Sequence, residues 1–391
     1  MMTSQPVKPA FGRSMVRLAV VPIAVALLAV LTVSSAHAQR DGERMRREYQ
    51  SLGTLLDAAA VADMRAFDAL SEIDAAPALR NAREQFASSL RMRAQMSMSE
   101  MMAMMRMPSG MTVLGPFDEL ETPAGEALVE LFETGASRGD IRSAFDDSIL
   151  PADAVEMLRR GSEFERRIFD VLATDTIDDK SAALDAAAAA WLSDGLTVPG
   201  DPKLAGLLLD HMYGGAFAEG YPRLSRIVRS GQWLRLAALE AMIFEEQGSG
   251  DWGSVAEVEE RFRAKLSPNA EHGASPAPVE LPMAPAIAPT LYSLSPKTAV
   301  IFDNLSMFRA IVADVLAWPE LDDRSARIQA LVDEFTDHSR SLDAPIDYLI
   351  SALRGGIYNQ GGPAIGELEE SERNRSRMEM GMQHAMIMSS Q

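Results

Sequence analysis

Apolar residues recur along this chain at steps of three and four, and strict alternation is almost absent, so the pattern predicts helices throughout. From Met45 the apolar positions Tyr49, Leu52, Leu56, Ala60, Met64, Phe67 and Leu70 share one helical face. Pro77 punctuates, and Leu79, Ala82, Phe86 and Leu90 begin a second stripe that leads into a methionine-rich run closed by "PSG" at 108–110. Two antiparallel helices joined by a short turn, a helical hairpin, are the economical reading of residues 40–107.

The same period continues from 113 to 265. "AGEALVELFETG" stops at Gly135, "PADAVEMLRRGSEFERRIFDVL" comes next, and the alanine-rich "DDKSAALDAAAAAWLSDG" closes at Gly195. After the loop "LTVPGDP" come "KLAGLLLDHMYGGAF" and "YPRLSRIVRSGQWLRLAALEAMIFEEQGSG". These segments predict an irregular helical bundle, and no period of roughly 20–50 residues marks a solenoid. Residues 268–296 then hold seven prolines in 29 positions, which removes backbone donors and predicts a linker or extended strap. Ser295 is the expected cap of the next helix, Pro296 its first residue, and Ile301, Leu305, Phe308, Val312 and Leu316 its buried face. Further helices over 323–340 and 345–354 complete a small bundle before "GGIYNQGGPAIG" breaks the pattern. The charged "ELEESERNRSR" and the residues C-terminal to it are expected to be partly helical or disordered.

The expected fold is therefore all-α, as irregular helical bundles with an N-terminal hairpin and a proline-rich linker. Its segments are 1–38, 39–112, 113–265, 266–296, 297–362 and a tail at 363–391. The first is a secretory signal peptide. Lys8, Arg13 and Arg17 precede the apolar run "LAVVPIAVALLAVLTV" at 18–33, and Ala36-x-Ala38 supplies a cleavage site. The run is shorter than the roughly 20 residues of a spanning helix, and Pro22 interrupts it. An uncleaved anchor is the alternative, and Met15 is a second candidate start. The mature chain is expected to begin at Gln39, periplasmic or secreted, with no membrane insertion after cleavage.

Charge and composition narrow the partners. The net charge is −19, and removing residues 1–38 takes away three basic residues and no acidic one, leaving −22. Such a surface repels nucleic acid and anionic membranes. The absence of cysteine excludes disulfides, thiolate metal sites and cysteine nucleophiles.

One local bias stands out. Residues 92–111, "MRAQMSMSEMMAMMRMPSGM", contain nine methionines, and residues 378–388 contain five more, together fourteen of the chain's 24. If the first group continued the stripe of Leu79, Phe86 and Leu90, Met101 and Met104 would lie on the core side. Met92, Met96 and Met107 would point the opposite way. Methionine thus surrounds this helix, and a helix apolar all round is either buried on every side or offers a second face to something else.

Thioethers are neutral, do not titrate, and prefer Cu(I) or Ag(I) to zinc, calcium or magnesium. Pairs three and four apart, such as Met98/Met102, Met101/Met105 and Met101/Met104, place two sulfurs on adjacent turns. The expected ligands are Met98, Met101, Met102 and Met105, with Met382, His384 and Met386 adding two sulfurs and an imidazole from the tail. The segment's own charge, Arg93 and Arg106 against Glu100, does nothing to attract a cation. In composition the two segments resemble the methionine-rich stretches of periplasmic copper-handling proteins. That resemblance covers only these segments and implies Cu(I) or Ag(I) binding. The alternatives are a non-enzymatic, chaperone-like scaffold whose methionines pack against a partner helix and an oxidant sink.

No other motif specifies a chemistry. His211, His272 and His338 lack paired metal-ligand spacing, and nucleophile elbows and phosphate loops are absent. Trp191, Trp233, Trp252 and Trp318 read as core anchors. The expectation is a protein that is not an enzyme. An exported hydrolase using two of the many carboxylates is the enzymatic alternative, although nothing in the sequence selects a pair.

Overall fold

The computed structural model describes residues 47, 49–94, 115–203, 215–246, 254–267, 277–278, 280–339, 348–349 and 352. Among them are thirteen α-helices and no strand, so the fold is all-α. In chain order they are α1 (Gln50–Ala75), α2 (Arg80–Ala94), α3 (Asp118–Thr134), α4 (Arg138–Asp146), α5 (Ala152–Leu172), α6 (Lys180–Leu192), α7 (Ala216–Gly220), α8 (Pro222–Glu246), α9 (Val255–Leu266), α10 (Ala284–Ile287), α11 (Pro289–Leu294), α12 (Pro296–Ala317) and α13 (Arg324–Thr336). No described helix is long and apolar enough to cross a membrane.

Two helices form the centre. On α12 every residue from Thr298 to Ala317 except Ala310 is buried, and α8 is buried without a gap from Ser230 to Ile243. Both are covered on all sides, as helices apolar around their circumference must be. α1 packs on both of them, while α3 lies against α1 and α8, and α9 lies against α8. α13, α6 and α7 cover α12. α5 is one-sided by contrast. It buries Ala154, Met157, Leu158, Gly161, Phe164, Glu165, Ile168, Phe169 and Leu172, the three-and-four spacing of an amphipathic helix. One continuous core runs from Leu52 to Phe335. Trp191, Trp233 and Trp318 lie in it, and Trp252 is outside the described residues.

Local signals set many boundaries. Ser295 caps α12 by accepting the Thr298 N–H, with Pro296 in the first turn where its missing donor costs nothing. Ser137 and Asp140 form a capping box at the start of α4. α3 ends at Gly135, whose φ of 80° suits glycine, and an added Cβ there would stand 2.5 Å from Thr54 Cγ2. The end of α6 differs from expectation. The helix stops at Leu192 with Ser193 as its cap, and the left-handed residue is Leu196 rather than Gly195.

The proline-rich residues also form helical turns. α10 and α11 each carry proline in the first turn, and Met283, Ala284, Ala286, Ile287, Ala288 and Leu291 are buried. Prolines at helix starts remove donors that have no intrahelical acceptor anyway. Carboxylates from the central helices accept the remaining ones. Asp303 takes the Ala284 N–H at 2.9 and 3.0 Å, and Glu240 takes Thr290 at 2.9 Å and Leu291 at 3.1 Å.

Candidate functional site

The first methionine segment is held to the body at both flanks. Phe86 on α2 meets Phe117 edge-on at 5.5 Å, and Phe117 stacks on Tyr221 at 4.8 Å. Gly115 lies so close to the start of α8 that a Cβ would be 2.6 Å from both Gly220 O and Pro222 Cδ. The segment's departure and return are therefore tied to one aromatic group. Leu79 just before α2 and Phe86 and Leu90 on it face the core, and Met92 faces out, 60% exposed. Five other described methionines, Met64, Met157, Met242, Met283 and Met307, are each 0–3% exposed. Met98, Met101, Met102 and Met105 lie outside the described residues, as do Met382, His384 and Met386.

One polar cluster inside the body matches no sequence motif. Asp63 on α1, Glu165 on α5, Arg235 on α8 and Arg309 on α12 meet in a fully buried cluster of zero net charge. Arg235 reaches Asp63 Oδ2 at 2.8 Å and Glu165 Oε2 at 3.1 Å. Arg309 reaches Asp63 Oδ2 at 3.3 Å and Glu165 Oε1 at 2.8 Å. The last contact is close as a charge pair but poorly aligned, leaving Arg309 Nη1 and Glu165 Oε1 without a hydrogen bond. Asp63 takes both arginines on one oxygen, and burial, outweighing Arg235 and Arg309, raises its pKa. Glu165 also suffers desolvation, but with an arginine on each oxygen its pKa is lowered, Arg309 and Arg235 prevailing. Sequence alone offered a faint signal for this cluster, single charges set inside otherwise apolar helix faces.

Other buried or half-buried ions end helices. Glu121 accepts Arg223 N–H at 2.6 Å and Leu224 N–H at 3.0 Å at the start of α8, and burial pushes its carboxyl up to about 7. Asp314 accepts the Phe217 N–H at 2.8 Å. Lys180 Nζ donates to Val171, Leu172 and Thr174 carbonyls at the end of α5, and Lys203 Nζ to those of Glu334 and Asp337 at the end of α13. Each sign suits the dipole of the helix end it meets. These charges build the fold.

His338 sits with Nε2 2.7 Å from the Thr197 carbonyl, joining the end of α13 to the loop after α6. His211 and His272 lie outside the described residues. Among the described residues, no three His, Asp or Glu side chains converge as a hard-metal site would require. A surface cleft of about 320 Å³ is lined by Gln50, Thr54, Asp57, Ala136 and Arg138, with Asp57 held by Arg166 at 3.4 Å. No family model, curated protein or solved structure matches this chain.

Proposed function

We propose that this is an exported helical protein that binds a soft monovalent metal, Cu(I) or Ag(I), through its methionine-rich segments. The observation that carries this reading is the split among the methionines. Core methionines are scattered singly and buried, whereas Met92, the first of the clustered set, stands in solvent on the side of α2 away from the core. A side chain that only filled the interior would be found inside. Thioethers outside the core and free of competing thiolates are suited to a soft cation in an oxidising compartment. Met98, Met101, Met102 and Met105 are the proposed ligands of the first site, and Met382, His384 and Met386 those of the second.

The test is anaerobic titration of the chain from Gln39 to Gln391 with Cu(I) against a competing chelator. Thioethers bind without releasing protons, so the affinity should change little between about pH 5 and 7 where methionine dominates. It should fall on acidification for any site that needs His384. Ag(I) should displace Cu(I), and Zn(II) should not. A chain that takes up no Cu(I) refutes the metal reading and favours the alternative in which the methionine-rich segments pack against a partner helix.

A further inference from the structure

Tyr348 and Ala352 are buried in a small cluster of their own with Met283 and Val300, against Leu281 and Tyr292, separate from the continuous core. At its centre the Tyr348 hydroxyl donates to Asp303 Oδ2 at 2.6 Å, and the same carboxylate accepts the Ala284 N–H. Asp303 is buried on α12. The groups facing it are the Ala284 N–H from α10 and the phenol of Tyr348. Tyr292 on α11 lies beyond that phenol at 6.2 Å ring to ring, and no cation pairs with the carboxylate among the described residues. This differs from Asp63 and Glu165, each of which has two arginines. An ionised Asp303 would be held in an apolar cluster by hydrogen bonds alone, an unfavourable place for a charge.

We propose that Asp303 and Tyr348 form a proton-operated anchor, which fastens the C-terminal segment to α10 and α12 while Asp303 is neutral and releases it as the carboxylate ionises. Protonated, the carboxyl shares a neutral hydrogen bond with the phenol and keeps its other oxygen for Ala284. Release of Tyr348 admits water, and ionised Asp303 is solvated. Burial, against the hydrogen bonds from Tyr348 and Ala284, pushes the anchored carboxyl up to about 7, while exposure returns it towards the ordinary carboxylate range. Burial and the neighbouring carboxylate raise the Tyr348 phenol, so it stays protonated throughout. The anchored state thus binds the proton more tightly. Anchoring is strongest in acid, weakens as the pH rises from the carboxylate range to about 7, and changes no further above it. Inside that window each pH unit shifts the balance by up to about tenfold. In sequence, the anchored segment precedes the methionine group at 378–388.

The absence of cysteine gives a clean test. Leu349, 37% exposed beside Tyr348, is replaced by cysteine in the chain from Gln39 and labelled with a fluorophore, and its anisotropy is followed from pH 4 to 9 without metal. The expected result is high anisotropy in acid that falls between about pH 4 and 7. Asp303→Asn, which cannot ionise, should stay high across the range, and Tyr348→Ala should be low throughout. Circular dichroism confirms that each variant is folded, and the parent profile carries the test alone if Asp303→Asn fails to fold. A flat parent profile, or an Asp303→Asn profile with the parent's midpoint, overturns the anchor and leaves metal binding at Met98–Met105 untouched.

Discussion

α12 and α2 differ in how far their sequences invite burial, α12 being apolar around its circumference and α2 on one face, and the fold treats them differently. α12 is enclosed, and each charge it carries inside has a partner, Arg309 with Asp63 and Glu165, Asp303 with Tyr348 and Ala284, and Asp314 with Phe217. α2 buries Phe86, Ala87 and Leu90 and leaves Met92 in solvent. All-round apolarity in α12 is met by burial, and the one-sided sequence of α2 by a single buried face. In α12 the body itself supplies the cover, whereas the outer face of α2 has no cover among the described residues at Met92.

The sharpest way to break this comparison is to remove one charge from the centre. Arg309→Ala or Arg235→Ala leaves Asp63 and Glu165 sharing one arginine, a buried cluster with one uncompensated negative charge, and is expected to cost about 3–5 kcal/mol in urea unfolding. A loss below about 1 kcal/mol would mean that water reaches the cluster and that the centre is not enclosed. Gly115→Ala comes next. Its methyl group meets Gly220 O and Pro222 Cδ at 2.6 Å, so overpacking should cost about 1–3 kcal/mol and loosen the return of the methionine segment.

A third prediction concerns pH. The pKa of buried Glu121 is raised to about 7, so the folded state keeps a proton that the unfolded chain gives up near the ordinary carboxylate value. Stability is then highest in acid with respect to this group and declines as the pH rises towards about 7. Melting temperatures across that range should fall in the parent and fall less in Glu121→Gln, and equal slopes would show that Glu121 is already solvated. The smallest effect belongs to the other side of the comparison. Met92→Ala should change stability by less than about 0.5 kcal/mol, because the side chain is exposed.

Much of this contrast could be read from the sequence, and part of it could not. Ser295-Pro296 marks the start of α12, and the apolar spacing of Leu79, Phe86 and Leu90 marks the core edge of α2 and puts Met92 outside, because both are local signals. The cluster of Asp63, Glu165, Arg235 and Arg309 is not local. Each residue looks like an isolated charge in an apolar helix, and pairing them needs contacts between segments far apart in sequence. The helical turns of the proline-rich segment were hidden for the same reason, since Asp303 and Glu240, which accept their free N–H groups, lie on α12 and α8. The proposed ligands Met98, Met101, Met102, Met105, Met382, His384 and Met386 were legible only as a local density of sulfur.

The central claim is that the clustered methionines serve a soft metal rather than the interior. Its most direct test is the Cu(I) affinity of a chain in which Met98, Met101, Met102 and Met105 are all leucine. Leucine keeps the apolar volume, so packing should survive at less than about 1.5 kcal/mol per site. The account predicts a protein that melts close to the parent and has lost its first Cu(I) site. A four-leucine chain that binds Cu(I) as tightly as the parent would contradict it.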